Sequence, residues 1–376
     1  MVRTMTERER ILASLRGEPV DRLAWAPRWE LWYNAAQRDG RIPPQYRGMS
    51  LYDMTRALGM GIKARGIGAF VREYDDVAVT ETTEGNLLRT TYRMPEGTLE
   101  SVLETTPELE AAGVRGRHIK NLIATEADFA LAVRLVERTR IAPNHAAVQA
   151  LLESVGEDGA VIMDGGFCPL HRAMRDFLGY QETYYALHDY PQQMARLLAA
   201  LQEEAEAQLL IAARSPAVII ECDGNYDVQL TPPPLYRHYF LPWFQHAADV
   251  LHAAGKIFMT HTDGHNDGLM ELIADSGFDV AEAFTPPPMT NISVTEARRI
   301  WGHRVAIWGG IASTMFSPPF TRQEFEAHVR EVVRQAAPGD RFVLGTGDNV
   351  PTDGDLARVM WVTQMVREES AALLGR

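Results

Sequence analysis

At 376 residues the chain is too long for one small domain but within reach of a single barrel carrying insertions. Its 46% hydrophobic and 23% charged residues are ordinary for a globular protein, and its formal net charge of −13 excludes non-specific nucleic-acid binding, which needs a basic surface to displace phosphate counterions. Two cysteines, Cys168 and Cys222, form no C-x-x-C pair, so neither a disulfide framework nor a thiolate zinc site is expected.

The charged stretch from Met1 to Leu15 reads as an amphipathic helix and not as a signal peptide. No apolar run approaches the roughly 20 residues that span a bilayer. A cytoplasmic location without a membrane partner is the expectation. The first helix covers Glu7 to Arg16, with Thr6 as N-cap and Glu9 completing a capping box. Gly17 and Pro19 end it, and Leu23-Ala24-Trp25-Ala26 reads as the first strand. A Pro/Gly/Arg-rich stretch runs from Asp39 to Arg47. Residues 68–104 alternate, are rich in Thr, Val and Tyr, and break at Glu84-Gly85-Asn86 and Pro95-Glu96-Gly97, which predicts an antiparallel meander of three strands.

From about residue 125, helical segments alternate with short apolar strands at Ala160–Met163, Ala217–Ile220, Lys256–Met259, Phe278–Ala281, Arg304–Ile307 and Arg341–Leu344. Continuously apolar strands separated by helices predict a parallel sheet buried on both faces. With the first strand they approach the eight of a closed barrel. A doubly wound sheet competes, but no Gly-rich dinucleotide loop or Walker loop supports it. The expected fold is therefore an α/β protein, a (β/α)8 TIM barrel with an N-terminal helical segment and an inserted antiparallel β-meander.

In such a barrel the C-terminal strand ends carry the chemistry. They are unusually polar here. Lys256-Ile257-Phe258-Met259 runs into His261-Thr262-Asp263-Gly264, and Arg341–Leu344 runs into Gly345-Thr346-Gly347-Asp348-Asn349. His261 and Asp263 are two apart and so point to one side of a strand. Other strand ends supply Asp164, Glu221 with Asp223 and Asn225, Glu282, and Arg28 with Glu30 near Trp25 and Trp29. For any one carboxylate, helix capping is the alternative. For Glu282, inside an apolar strand, the alternative is a structural salt bridge. For His261 it is a satisfied core histidine, against which Gly264 would allow close approach of a ligand. If a metal is present, His261, Asp263, Glu282 and Asp348 are its candidate ligands, one nitrogen and three oxygens. Without one, the crowded carboxylates should raise at least one pKa toward neutrality.

The chain resembles the superfamily of uroporphyrinogen decarboxylase and the corrinoid-linked methyltransferases over most of its length. The opening Glu9-Arg10-Ile11-Leu12 through Gly17-Glu18-Pro19-Val20-Asp21-Arg22 is similar to the family's first helix and its Gly-x-x-x-Asp-Arg turn. Gly179-Tyr180 through Tyr190-Pro191 is similar to its helical pair, followed by His261-Thr262-Asp263-Gly264, Gly277-Phe278-Asp279, Trp308-Gly309-Gly310-Ile311 and Leu344–Asp348. The resemblance implies one barrel domain over residues 1–376, with 68–104 as its inserted meander.

Three branches then compete. In the thiol methyltransferases, the family pattern His-x-Cys-Gly and a later Cys hold zinc, whereas this chain has Asp263 and Asp348, so zinc is not expected. In the decarboxylases an Arg-rich loop grips carboxylates. Gly40-Arg41 and Pro44-Gln45-Tyr46-Arg47 resemble part of that loop, with Arg28 and Arg41 as clamps, but Gln37 replaces an expected arginine and no Phe-Ser-Asp segment is found. An acidic mouth would also repel a polycarboxylate. The greatest likeness, through Glu282-Ala283-Phe284-Thr285-Pro286-Pro287-Pro288 and Gly347-Asp348, is to methyltransferases that link a corrinoid to tetrahydrofolate. It implies a methyl group moving between methylcobalamin on a corrinoid-binding partner protein and tetrahydrofolate, a small-molecule pterin. Asp164, Asp223, Asn225 and Asp348 would contact the pterin, and His261 or Asp263 would handle the proton. Arg28, Glu221, Glu282 and Asn349 would complete the substrate wall. A homodimer is left open.

Overall fold

The computed structural model describes residues 4–112, 114, 116–222 and 224–375. Contacts divide the chain into two compact units, one built from residues up to Ile67, Ala146–Asp164 and the chain from Pro216 onward, the other from Gly68–His145 and Gly165–Ser215.

The first unit holds eight parallel strands: β1 (Ala24–Trp25), β2 (Ile62–Ala64), β3 (Gly159–Asp164), β4 (Ile219–Glu221), β5 (Ile257–His261), β6 (Val280–Phe284), β7 (Ala306–Ala312) and β8 (Phe342–Gly347). They lie in the order β1-β8-β7-β6-β5-β4-β3-β2, and the Gly61 N–H donates to the Trp25 carbonyl at 2.9 Å, joining the two ends into a barrel. The expected (β/α)8 fold is therefore present. The sequence reading located seven of the strands and missed β2.

Inward positions repeat every second residue. Ala24, Ala160, Ile162, Ile219, Ile257, Met259, Val280, Ala306, Trp308 and Val343 form one buried apolar cluster with Ile11 and Leu15 of α1 (Glu7–Arg16). The predicted N-terminal helix is thus the plug of the barrel. Its expected Thr6/Glu9 capping box is formed. Continuing the same alternation from Ile257 and Met259 brings His261 inward, and from Val280 it brings Glu282 inward, one layer above the apolar plug.

The Asp21 of the Gly-x-x-x-Asp-Arg turn fastens that plug. Its carboxylate accepts from the buried Arg10 at 2.7 and 2.9 Å and from the Met5 N–H at 3.0 Å. The Arg10 guanidinium holds the Asp21 carboxyl down to about 2 against the opposing effect of burial.

In the second unit the meander is shorter at its start than expected. Ala78–Glu84, Leu87–Met94 and Gly97–Glu104 form the predicted antiparallel run, but a fourth strand, Arg117–Lys120, extends it. Phe70–Tyr74 stands apart and pairs antiparallel with Thr139–Pro143. Among the described residues, no helix is long and apolar enough to cross a membrane.

Asp21→Ala is expected to destabilise the first unit toward the lower end of the about 3–5 kcal/mol that loss of a buried ionic partner costs, since Glu7 still reaches Arg10. Urea unfolding followed by tryptophan fluorescence measures it.

Candidate active site

The register of β5 on β6 places His261 directly beside Glu282. The Glu282 side chain is 0% exposed, in the middle of a strand with no water to solvate a charge. Three cations reach it. Lys63 on β2 donates to Oε1, and His261 Nδ1 bonds Oε2. Arg65, just past β2, lies 3.2 Å from Oε2. Burial favours the neutral acid, but these three charges outweigh it and hold Glu282 well below the usual carboxylate range. Lys63 sits 5.1 Å over the Trp308 ring. Its own pKa is lowered by burial, which Glu282 only partly offsets.

From Glu282 the contacts spread around the mouth. Arg65 also donates to Glu221 at the end of β4. His261 directs Nε2 toward Asp263 Oδ2 at 3.3 Å and Asp348 Oδ1 at 3.8 Å. Arg28, past β1, places Nη1 on Asp348 Oδ1 and Nε on Glu30 Oε1, both at 2.5 Å. Burial would strip the imidazolium proton, but the Glu282 and Asp263 carboxylates hold His261 up to about 10. Glu221 moves opposite to Glu282: burial raises its carboxyl, Arg65 offsets only part, and Glu282 adds repulsion.

Glycine makes this packing feasible at one point. A Cβ on Gly224, which has φ +149°, would lie 2.5 Å from His261 Cβ. Gly264 has a different role from the one expected, since a Cβ there would meet the Tyr226 carbonyl at 2.1 Å. The chain's own backbone, not a ligand, takes that space.

His261, Asp263, Asp348, Glu221, Glu282 and Arg28 are therefore brought together. Asn349 is buried behind them, its Oδ1 accepting from the Leu31 N–H at 3.3 Å and its Nδ2 without a partner among the described residues. Asp164 ends β3 in register with Glu221, with its side chain exposed. Asn225 is exposed, with φ 56°. The expectation for Asp223 lies outside the described residues. Arg41 is no clamp here, because it bonds the Thr352 carbonyl at 2.7 Å and Asp39 at 3.4 Å. Lys63 and Arg65 are the members of this charged ring that the sequence reading missed. The signal was a Lys inside Met60-Gly61-Ile62-Lys63-Ala64, a short run flanked by glycine.

Two further expectations are corrected. The mouth is not simply acidic, because Lys63, Arg65, Arg28 and protonated His261 face its carboxylates. The four-member metal set also divides. His261, Asp263 and Asp348 form one group with donor atoms within 4.8 Å of one another, and Glu221, His261 and Glu282 form another. Neither fits a thiolate zinc centre. Cys168 caps a helix in the second unit, and Cys222 follows Glu221, so alternation turns it from the face Glu221 occupies.

The model of the uroporphyrinogen decarboxylase (URO-D) family matches residues 109–369, well over half of the chain. The chain belongs to that family. A methyltransferase from Methanosarcina mazei matches in structure over 97% of this chain and 99% of that chain, with 15% sequence identity and a TM-score of 0.59. At that identity the likeness speaks for the shared barrel fold. Two weaker matches are a mandelate racemase/muconate lactonizing protein from Herpetosiphon aurantiacus (11% identity, 82% and 85% coverage, TM-score 0.24) and a muconate lactonizing enzyme from Pseudomonas putida (13%, 81% and 78%, 0.23), and neither carries an argument. No curated protein matches the chain in sequence. Within the family fold, the charged ring at the strand ends occupies the mouth where barrel enzymes work.

Two outcomes test this ring. Lys63→Met should destabilise by about 3–5 kcal/mol, because Glu282 keeps its charge and loses its nearest cation. His261 is raised from 6.5 to about 10 on folding, so its stabilisation is complete below pH 6.5 and is lost as pH rises toward 10. Urea midpoints measured from pH 6 to 10 should fall across that window, and His261→Asn should remove most of the fall.

Proposed function

We propose that this chain moves a methyl group between a methylated corrinoid, carried by a separate protein, and tetrahydrofolate. Support comes from the shared family, and one observation carries most of the weight: carboxylates, not thiolates, surround the His261 ring. A thiol acceptor must be deprotonated, which a thiolate-bound zinc accomplishes. The pterin N5 is already a neutral nucleophile, and what it needs is positioning and proton exchange. Its lone pair attacks the methyl carbon, the cobalt–carbon bond breaks with both electrons left on cobalt, and the N5 proton then departs.

Carboxylates suit the amide and amino donors of a pterin edge, and Asp263 and Asp348 are the charged acceptors at the mouth. Asn349 Nδ2 is an amide donor still lacking a partner among the described residues. Because His261 stays protonated up to about pH 10, it acts as a donor and not as the base. The raised carboxyl of Glu221 fits proton exchange better.

A second reading rests on Arg28, Arg65 and Lys63. Three cations at one mouth would also receive substrate carboxylates, as a decarboxylase of this family requires, although each already pairs with an acid of the chain.

Purified protein supplied with a methylated corrinoid protein and tetrahydrofolate should yield methyl-tetrahydrofolate by mass spectrometry, together with cob(I)alamin absorbance. Glu221→Gln should slow turnover by about 10²–10⁴-fold, the usual worth of a general acid–base group. Methylation of a simple alkanethiol in place of tetrahydrofolate would overturn the proposal. Carbon dioxide release from a porphyrinogen, lost in Arg65→Ala, would establish the second reading instead.

A further inference from the structure

The donor atoms of His261, Asp263 and Asp348 are close enough to surround an ion, yet a side chain already supplies the positive charge there. We infer that Arg28 is the resident cation of this site, standing in for a divalent metal, and that the native chain does not bind such an ion at His261, Asp263 and Asp348.

The first support is how firmly Arg28 is placed. Its N–H donates to Thr346 Oγ1 at 3.2 Å, and its carbonyl accepts from Thr346 Oγ1 at 3.1 Å and from the Val350 N–H at 2.9 Å. Those contacts grip the β8 loop on both sides of Asp348. The guanidinium is then fixed at its two ends, Nη1 on Asp348 and Nε on Glu30, both at 2.5 Å. A planar, permanently charged group with two such charge-assisted bonds is not readily displaced.

The second support is His261. Its Nδ1 bonds Glu282 and its Nε2 faces Asp263 at 3.3 Å. Both ring nitrogens already face carboxylates of the chain, so an ion taking Nε2 would have to displace the contact with Asp263. The third support is charge. A divalent ion among these three residues would lie beside the Arg28 guanidinium, which already holds at 2.5 Å the Asp348 oxygen that His261 approaches at 3.8 Å. Neither the identity of the methyl acceptor nor the choice between methyl transfer and decarboxylation enters this argument.

The opposing possibility is that Arg28 is an ordinary rim ion pair that a metal displaces. Cobalt(II) separates the two, because its visible absorption reports inner-sphere nitrogen and oxygen ligands. Native protein, Arg28→Ala and Arg28→Gln are titrated with Co²⁺, and bound metal is quantified after equilibrium dialysis. The native chain is expected to show no stoichiometric Co²⁺. Each neutral variant should gain one equivalent with affinity higher by about tenfold, since removing the guanidinium leaves the partly exposed Asp348 carboxylate without its charge-assisted partner. Adding Asp348→Asn to either variant should abolish the gain. One equivalent bound by the native chain and lost in Asp348→Asn would overturn the inference. So would a folded Arg28→Ala or Arg28→Gln that takes up no metal. Should both variants fail to fold, the native titration decides alone.

Discussion

The mouth of this barrel depends on one ionised carboxylate that water does not reach. Glu282 occupies an inward position on β6, one layer above Val280, and its side chain is 0% exposed. A charge there is tolerable only with opposite charges in contact. Those charges come from β2 through Lys63 and Arg65, and from β5 through His261. Once they are drawn in, their remaining donors must also be satisfied. Arg65 therefore takes Glu221, and His261 turns its second nitrogen to Asp263 and Asp348. Asp348 in turn takes Arg28 from the loop after β1. The result is a run of alternating charges linking six strands, and it begins from a single residue.

Such a network is weak evidence for stability and better evidence for order. Replacing buried ion pairs by apolar groups often leaves a protein as stable or more so. What the network supplies is a set of dipoles and charges whose positions are fixed before any substrate arrives, which is the condition for electrostatic stabilisation of a reacting group. The apolar layer beneath gives it a rigid floor. Ile257, Met259, Val280 and Trp308 meet Ile11 and Leu15 of the α1 plug, and the indole N–H of Trp308 donates to the Ala26 carbonyl at 2.9 Å. The Asp21–Arg10 pair that fastens α1 thus acts on the site from the far side of the barrel.

Most of this frame was legible in the sequence because it follows from periodicity. Apolar runs alternating with helices gave seven of the eight strands, and the polar residues at their ends gave His261, Asp263, Glu221, Glu282 and Asp348. β2 escaped because it is three residues long with a lysine at its centre, which locally reads as a solvated turn. Lys63 becomes a core residue only through Glu282, 219 positions away. The need for that partner was visible, since an acid within Val280–Phe284 cannot be buried alone, but its identity was not. Asn225 lies past the end of β4, exposed and at a positive φ of 56°. The Arg41 guanidinium is held by the Thr352 carbonyl and Asp39.

The two glutamates of the ring show how one barrel mouth can hold both a fixed charge and an exchangeable proton. Glu221 and Glu282 are both buried and both inward, and burial pushes each toward the neutral acid. Glu282 is met by three cations, so it stays ionised. Glu221 is buried, is bonded by Arg65 and feels the repulsion of Glu282, so its carboxyl is raised. Carboxylates driven apart in this way differ in kind, one a permanent anion that orients its neighbours and the other an acid that holds its proton more readily than a free glutamate does. The division depends on Arg65 being shared. Were Arg65 to favour Glu221 alone, Glu282 would lose one of its three cations and the Glu221 proton would leave more easily. The placement of Arg65 past β2, between β4 and β6, therefore sets which of the two acids is available for chemistry.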